Sequence, residues 1–348
     1  MQPCGSFYET YGQDTAVIRT RLQWIIFCAG LVVLLTVPLY GGYYMVSLIN
    51  KIAISVVAVL GLQIVMGYCG QISFGQVAFM AVGAYASSIL TLDLGWPFWI
   101  AMPAAGLTAG VIGIIGGAPS LRIKGFYLAL ATIAVHFIIT WLVMHLKITG
   151  TTDGLHPPFP SIGTFVFDTD EKLFYIIVPV MLLMTYFAKN LTRSRVGRAF
   201  VAIRDNDLAA KVMGVNLFYY KMLAFFIACF YAGIAGSLSA HYYTAVNVEQ
   251  FPLTEAVYFV GMLIVGGLGS ITGVFFGVIF IRLLDELVIF GARPIAELFP
   301  FIGLAPAASL SVSAFGLVLM LFLIFLPRGL AHRWEIFKAS YRLYPFAY

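Results

Sequence analysis

Charge is scarce in this sequence. Only 10% of its 348 residues are Asp, Glu, Lys or Arg, against about 25% in a soluble globular domain. That shortage excludes an ordinary water-soluble protein. It also excludes a disordered chain, which needs high charge and low hydrophobicity. Cysteine is limited to Cys4, Cys28, Cys69 and Cys229. No two stand at metal-ligand spacing, and Cys28 and Cys229 lie in apolar runs, so they read as small inert hydrophobes rather than a disulfide framework. A Gly-Lys-Ser/Thr phosphate loop, a His-Glu-x-x-His pair and a Gly-x-Ser-x-Gly elbow are all missing, which leaves no catalytic constellation. The chain is therefore expected to be no enzyme, to bind no cofactor and to hydrolyse no ATP by itself. Acidic residues deep in apolar runs are few, which counts against coupling to a proton or sodium gradient.

What is present is apolar. Hydrophobic residues make up 61% of the chain, with 34 Gly, 30 Phe and 19 Tyr, and the mean hydropathy is +0.96. A β-barrel would alternate apolar and polar residues in segments of about ten, and no such alternation occurs. The composition predicts an all-α polytopic membrane protein, with room for roughly ten spans at about 20 residues each. Apolar runs fall at 24–41, 44–67, 71–92, 97–118, 125–146, 173–189, 222–243, 253–267, 270–290 and 302–326. Lys51 interrupts the second run, and one reading starts that span after Lys51 and leaves 41–50 as an outer connection. The eighth run is short enough to be a half-helix, ended by Gly266-Gly267-Leu268-Gly269-Ser270. The first 21 residues are polar, with Glu9, Asp14, Arg19 and Arg21, and lack the apolar core of a signal peptide.

The placement of basic residues orients the spans. With the N-terminus inside, ten crossings put fifteen of the twenty Lys and Arg residues on the cytoplasmic side. These are Arg19 and Arg21; Arg122 and Lys124; Lys189, Arg193, Arg195, Arg198, Arg204, Lys211 and Lys221; and Arg328, Arg333, Lys338 and Arg342. The expected organisation is a cytoplasmic segment at 1–23, a transmembrane domain at 24–326 containing a basic cytoplasmic loop at 190–221, and a cytoplasmic tail at 327–348. Residues 147–172 form an outer loop with Asp153, Asp168, Asp170 and Glu171 and with Pro157, Pro158 and Pro160.

Glycines recur at four-residue spacing in Gly106/Gly110, Gly113/Gly117 and Gly269/Gly273/Gly277, a pattern that lets helices approach closely in lipid. Between the second and third runs, Gly67-Tyr68-Cys69-Gly70-Gln71-Ile72-Ser73-Phe74-Gly75-Gln76 crowds glycines and amides together. Polar side chains in hydrocarbon must face protein or water, so Gln71, Ser73 and Gln76 are expected to point into the bundle. Two roles stay open for them: interhelical hydrogen bonding, or lining a polar path. The same alternatives apply to His136, near the middle of the fifth run, and to Thr132 one turn before it. Arg282, Asp285 and Glu286 stand at i, i+3 and i+4 and are expected to neutralise one another.

In the basic loop, Gly197-Arg198-Ala199-Phe200-Val201-Ala202-Ile203-Arg204-Asp205-Asn206-Asp207-Leu208-Ala209-Ala210-Lys211-Val212-Met213-Gly214 predicts a helix of about eight residues. Asp205 is the expected N-cap, Asp207 suits the helix start and Gly214 the stop. Leu208 and Val212 share a face, with Ala209 and Met213 beside them. A helix this short is marginal alone. It must pack on its own bundle, or dock as a small apolar ridge on a partner.

This loop resembles the coupling segment of the branched-chain amino acid permease family of ABC transporters. Gly70-Gln71-Ile72-Ser73-Phe74-Gly75-Gln76-Val77-Ala78-Phe79 with Gly83-Ala84-Tyr85 is similar to the family's early signature. So is Arg122-Ile123-Lys124-Gly125-Phe126-Tyr127-Leu128-Ala129, and Gly266-Gly267-Leu268-Gly269-Ser270 with Gly273 is similar to its late one. The resemblance spans about residues 45–330. It implies a multi-pass inner-membrane subunit of a high-affinity importer that moves a small polar solute such as a branched-chain amino acid. A second homologous permease, two cytoplasmic ATPases that consume the ATP, and an extracytoplasmic substrate-binding protein would complete it, with no nucleic acid involved. The coupling role then falls on Arg198, Arg204, Asp205, Asp207, Leu208, Ala209, Val212, Met213 and Gly214. Thr149-Gly150-Thr151-Thr152-Asp153-Gly154-Leu155 departs from the family's Thr-Gly-Gly and Asn-Gly-Leu elements, and relatives import urea, short amides or aromatic acids. Outside the family, the rivals are a secondary transporter without an ATPase and an intramembrane enzyme, for which His136 is the lone candidate group.

Overall fold

The structure, a computed structural model, describes residues 21–117, 125–151, 153–163, 165–298 and 305–343. Arg19, Arg122, Lys124 and Thr152 lie outside them. The described residues are mostly helical, and each of the ten apolar runs contains a helix. In chain order these are α1 (Arg21–Tyr40), α2 (Tyr43–Leu62), α3 (Gln76–Leu92), α4 (Phe98–Gly117), α5 (Phe126–His145) and α6 (Asp170–Arg193). They continue with α7 (Arg195–Asp205), α8 (Asp207–Val212), α9 (Leu217–Tyr243), α10 (Leu253–Gly266), α11 (Ile271–Leu298), α12 (Ala305–Phe325) and α13 (Gly329–Leu343). Six stretches among the described residues are long and apolar enough to cross a membrane. A seventh is counted if α12 and α13, bent by 45° at their junction, are taken together. The chain is thus a polytopic helical membrane protein.

The second run resolves against the shorter reading. Helix α2 starts at Tyr43, runs straight through Lys51 and passes into a π turn at Gln63–Tyr68, 26 residues in all. Residues 43–50 are therefore part of the span and not an outer connection. The eighth run is longer than it looked, because a 3₁₀ turn at Val248–Gln250 extends α10 into a stretch of 19 residues.

Helices α2 and α9 form the centre: 72% of the apolar window of each is buried, against 33% for α5. The outward faces of α5, with Phe137, Ile138 and Trp141, stay exposed and apolar, as lipid-facing surfaces do. The glycine spacing explains how the centre closes. A methyl group added at Gly106 would strike Phe230, one at Gly110 Phe226, one at Gly113 Cys229 and one at Gly117 Phe225. The α4 stripe is thus the groove that receives one face of α9. Gly273 and Gly277 of α11 press against the backbone of Gly266 and Met262 of α10 in the same way. Gly269 belongs to the break before α11 instead of to this stripe.

The loop between α5 and α6 carries a two-residue-per-strand hairpin, β1 (Ser161–Ile162) with β2 (Phe165–Val166). It is pinned to the end of α9 by the Leu155–Val246 bridge and by a contact of His241 Nδ1 with the carbonyl of Pro158 at 2.9 Å.

Candidate translocation and coupling site

Two helical stretches end at the same place, each at a glycine-rich break in the helix. Helix α2 widens into its π turn and ends at Tyr68, and the chain runs without helix from Cys69 to Gly75 before α3. Such π turns recur at functional positions. Non-helical backbone between apolar helices must be satisfied by protein. Here the Gln71 N–H bonds the Val65 carbonyl at 2.9 Å, and the Phe74 N–H bonds Thr132 Oγ1 at 3.0 Å. Helix α10 likewise stops at Gly266, and Gly267 takes φ +114°, which a side chain would resist. Gln63 joins the two breaks. Its Nε2 donates to the Gly267 carbonyl at 3.3 Å and to the Ser270 carbonyl at 2.9 Å. A methyl group on Gly67 would lie 2.8 Å from the Gly269 nitrogen, so the breaks are in van der Waals contact.

Arg204, at the C-terminal end of α7, is wedged into this junction. Its Nη1 donates to the Gly67 carbonyl at 2.9 Å, an oxygen that the π turn leaves without its helical partner. A side chain at Gly269 would begin 3.0 Å from Nη1, and one at Gly70 would begin 2.9 Å from Arg204 Cγ. Gly70 also holds φ +72°, so both its conformation and its missing Cβ make room for the arginine. Arg204 further bonds Asp205 at 3.0 Å. Beneath the junction is a cavity of about 350 Å³ lined by Gln71, Arg204, Asp205, Asn206, Asp207 and Lys221 among others.

The basic loop holds two helices where the sequence predicted one. Ser194 caps α7, accepting from the Val196 and Gly197 N–H groups, and Phe200 and Ile203 bury its inner face. The expected cap of the next helix is corrected. Asp205 is the last residue of α7, and Asn206 Oδ1 accepts the Ala209 N–H at 3.0 Å in its place. With α7 ending so late, α8 keeps six residues instead of eight. Asp207 pairs with Lys221 of α9 at 3.8 Å. Ala210 packs inward, whereas Leu208, Val212 and Met213 are 69%, 87% and 83% exposed. Gly214 turns the chain at φ +84°. Arg198 lies exposed on α7 and reaches back to the Arg193 carbonyl at 3.3 Å.

Gln71, Ser73, Gln76, Thr132 and His136 are all at most 4% exposed, as bundle-facing residues should be. Gln76 is a clamp: its Nε2 donates to the carbonyls of Ala58 in α2 (2.9 Å) and Ala228 in α9 (3.1 Å). Thr132 accepts from the 73–75 segment and donates to the Ala129 carbonyl at 2.8 Å. Buried polar atoms without a partner remain at Gln71 Oε1 and His136 Nδ1.

The expected Arg282–Asp285–Glu286 cluster forms only in part: Asp285 lies close enough to act on the Arg282 charge, but the hydrogen bonds of Arg282 and Glu286 go to other helices. Arg282 turns to Glu255 of α10 at 2.6 Å and to Ser55 of α2 at 2.9 and 3.1 Å. Glu286 accepts from Tyr44 at 2.6 Å. Neighbours on other helices outcompete neighbours on the same one. Gln63 and Glu255 were visible as lone polar residues in apolar runs, which is the signal for an inward-facing role, but their partners lie more than 200 positions away or on another span.

The family described as the permease component of branched-chain amino acid transport systems matches residues 44–326. The high-affinity branched-chain amino acid transport system permease protein LivM of Escherichia coli is 30% identical over 253 residues, 66% of this chain and 60% of that protein. Its Salmonella typhimurium counterpart is 29% identical over 276 residues, 72% and 65% of the two chains. The matches thus cover less than two thirds of either relative. The ribose import permease protein RbsC of Haemophilus influenzae is 24% identical over 253 residues, 69% of this chain and 75% of its own length. No solved structure matches the chain. The match over residues 44–326, on a polytopic helical fold, places the chain in the family of branched-chain amino acid transport permeases.

Proposed function

We propose that this chain is a membrane-spanning permease subunit of an inner-membrane ABC importer for a small polar solute, a branched-chain amino acid being the first candidate. Ten spans and cytoplasmic termini are the topology this reading needs, and the basic-residue bias supports it. The partners are a second homologous permease, two cytoplasmic ATPases that bind the ATP, and an extracytoplasmic binding protein. The chain itself works as a translocation subunit, not an enzyme.

The observation that carries this reading is the pairing of α8 with Arg204. An apolar ridge of Leu208, Val212 and Met213 stands exposed, directly after a helix whose arginine reaches the breaks of two spans. A partner that pulls on α8 therefore moves α7 and, through it, the two breaks. Coupling falls on Arg198, Arg204, Asp205, Asp207, Leu208, Ala209, Val212, Met213 and Gly214, and the solute path on the segment around Gln71, Ser73, Gln76, Thr132 and His136.

The test is Leu208→Asp. Burying a leucine contributes about 1.5–3 kcal/mol, roughly a 10- to 150-fold change in affinity, and an unpaired buried carboxylate costs more. The variant is expected to insert normally, to lose the ATPases on purification in detergent, and to abolish uptake. Full ATPase recovery with normal uptake overturns the assignment.

A further inference from the structure

A second polar cavity lies at the opposite end of the bundle from Arg204. It has a volume of about 330 Å³ and is lined by Lys51, Ser55, Met80, Glu255, Phe259 and Arg282 with other residues. Lys51 is 17 residues before Tyr68 on the continuous α2 stretch, about 25 Å away at 1.5 Å per residue. The walls come from that end of α2, the first turns of α3, the last turns of α9, the first two turns of α10 and Arg282 of α11.

Three charged side chains meet here among apolar helices, an arrangement too costly to be incidental. Two of them are committed to each other. Arg282 holds Glu255 through Oε1 at 2.6 Å and bonds Ser55 through Nε and Nη2, and Asp285 adds negative charge near the same guanidinium. Lys51 is different: among the described residues its side chain makes no hydrogen bond or ion pair, although the residue is half-buried. Glu255 has its second carboxylate oxygen unbonded. The cavity therefore offers a free ammonium group and a free carboxylate oxygen. Met80 and Phe259 supply apolar surface opposite them.

We propose that this cavity is a solute site within the permease that binds an α-amino acid zwitterion. Lys51 takes the carboxylate, Glu255 takes the ammonium group, and Met80 and Phe259 receive an aliphatic side chain. The assignment rests on the reading of the chain as an amino acid permease and adds to it a holding point between the binding protein and the broken spans.

The experiment uses the permease–ATPase complex in nanodiscs of phosphatidylglycerol, without binding protein, and measures equilibrium binding of radiolabelled leucine. Unlabelled 4-methylpentanoate lacks the ammonium group and 3-methylbutylamine lacks the carboxylate, so each is expected to compete about tenfold or more weakly than leucine. Lys51→Met is expected to weaken leucine binding by about tenfold or more, with Lys51→Arg restoring most of it and ATPase recovery unchanged throughout. Met80→Trp, which fills the cavity but keeps every charge, is expected to abolish binding. Wild-type affinity in Lys51→Met, or equal competition by both single-charge analogues, overturns the proposal. Competition by phosphoethanolamine as strong as by leucine also overturns it, by assigning the cavity to a lipid headgroup. Leucine uptake with the binding protein present, but no direct binding without it, refutes the site and leaves the permease reading standing. Loss of both refutes both.

Discussion

Arg204 is the residue whose removal should separate ATPase docking from transport. Its guanidinium donates to the Gly67 carbonyl at 2.9 Å inside the junction of the two broken spans. Its second interaction, with the neighbouring Asp205 at 3.0 Å, is a surface pair that contributes about 0–1 kcal/mol. A hydrogen bond from a charged donor is worth about 1.5–3 kcal/mol. Because 36% of the Arg204 side chain remains exposed, solvent screening reduces the useful figure to about 1–2 kcal/mol, or roughly a 5- to 30-fold change in an equilibrium. Arg204→Ala leaves the Leu208–Val212–Met213 ridge untouched, so the ATPases should still co-purify. What should fall, by about 5- to 30-fold, is the number of solute molecules imported per ATP hydrolysed in proteoliposomes. Arg204→Lys keeps the charge but loses the rigid fork and should fall between the two. An unchanged solute-to-ATP ratio in Arg204→Ala would refute the idea that α7 drives the breaks. Loss of the ATPases would show instead that Arg204 belongs to the docking surface.

Gly70→Ala should mimic that loss, since a left-handed conformation costs a non-glycine residue about 1–2 kcal/mol and the new methyl group meets Arg204 Cγ; the solute-to-ATP ratio reads it, and wild-type coupling would count against the wedge. Gln76→Leu removes the donor to the Ala58 and Ala228 carbonyls and should destabilise the α2–α9 pair by about 1–3 kcal/mol, seen as a lower melting temperature of the detergent-solubilised protein, whereas an unchanged value would leave Gln76 to the solute path alone. Val212→Cys, in a cysteine-free background, should resist a membrane-impermeant thiol reagent in intact cells and react once the membrane is opened. Ready labelling from outside would reverse the orientation.

Composition and periodicity were enough to find the helices, because a span in lipid must be a long apolar run whatever its partners. Each of the ten runs contains a helix, and the three polar residues of the 71–76 segment turned inward as the cost of exposing amides to hydrocarbon requires. The errors share one physical origin. Asp205 and Asn206 are both good caps, and choosing between them depended on where α7 ended, which Phe200 and Ile203 decide by packing on the bundle. Arg282 had carboxylates at i+3 and i+4 on its own helix, yet Glu255 won because the close approach of α10 and α11 at Gly273 and Gly277 brings that carboxylate within 2.6 Å. Local spacing names the groups available; interhelical distance selects among them. The Gly67–Arg204 bond spans 137 positions, and neither residue carries a mark of the other. What the sequence did show was a cluster of glycines at each of two breaks. Glycines so placed make space for something, and only the fold says that in this chain it is the side chain of one arginine from the basic loop.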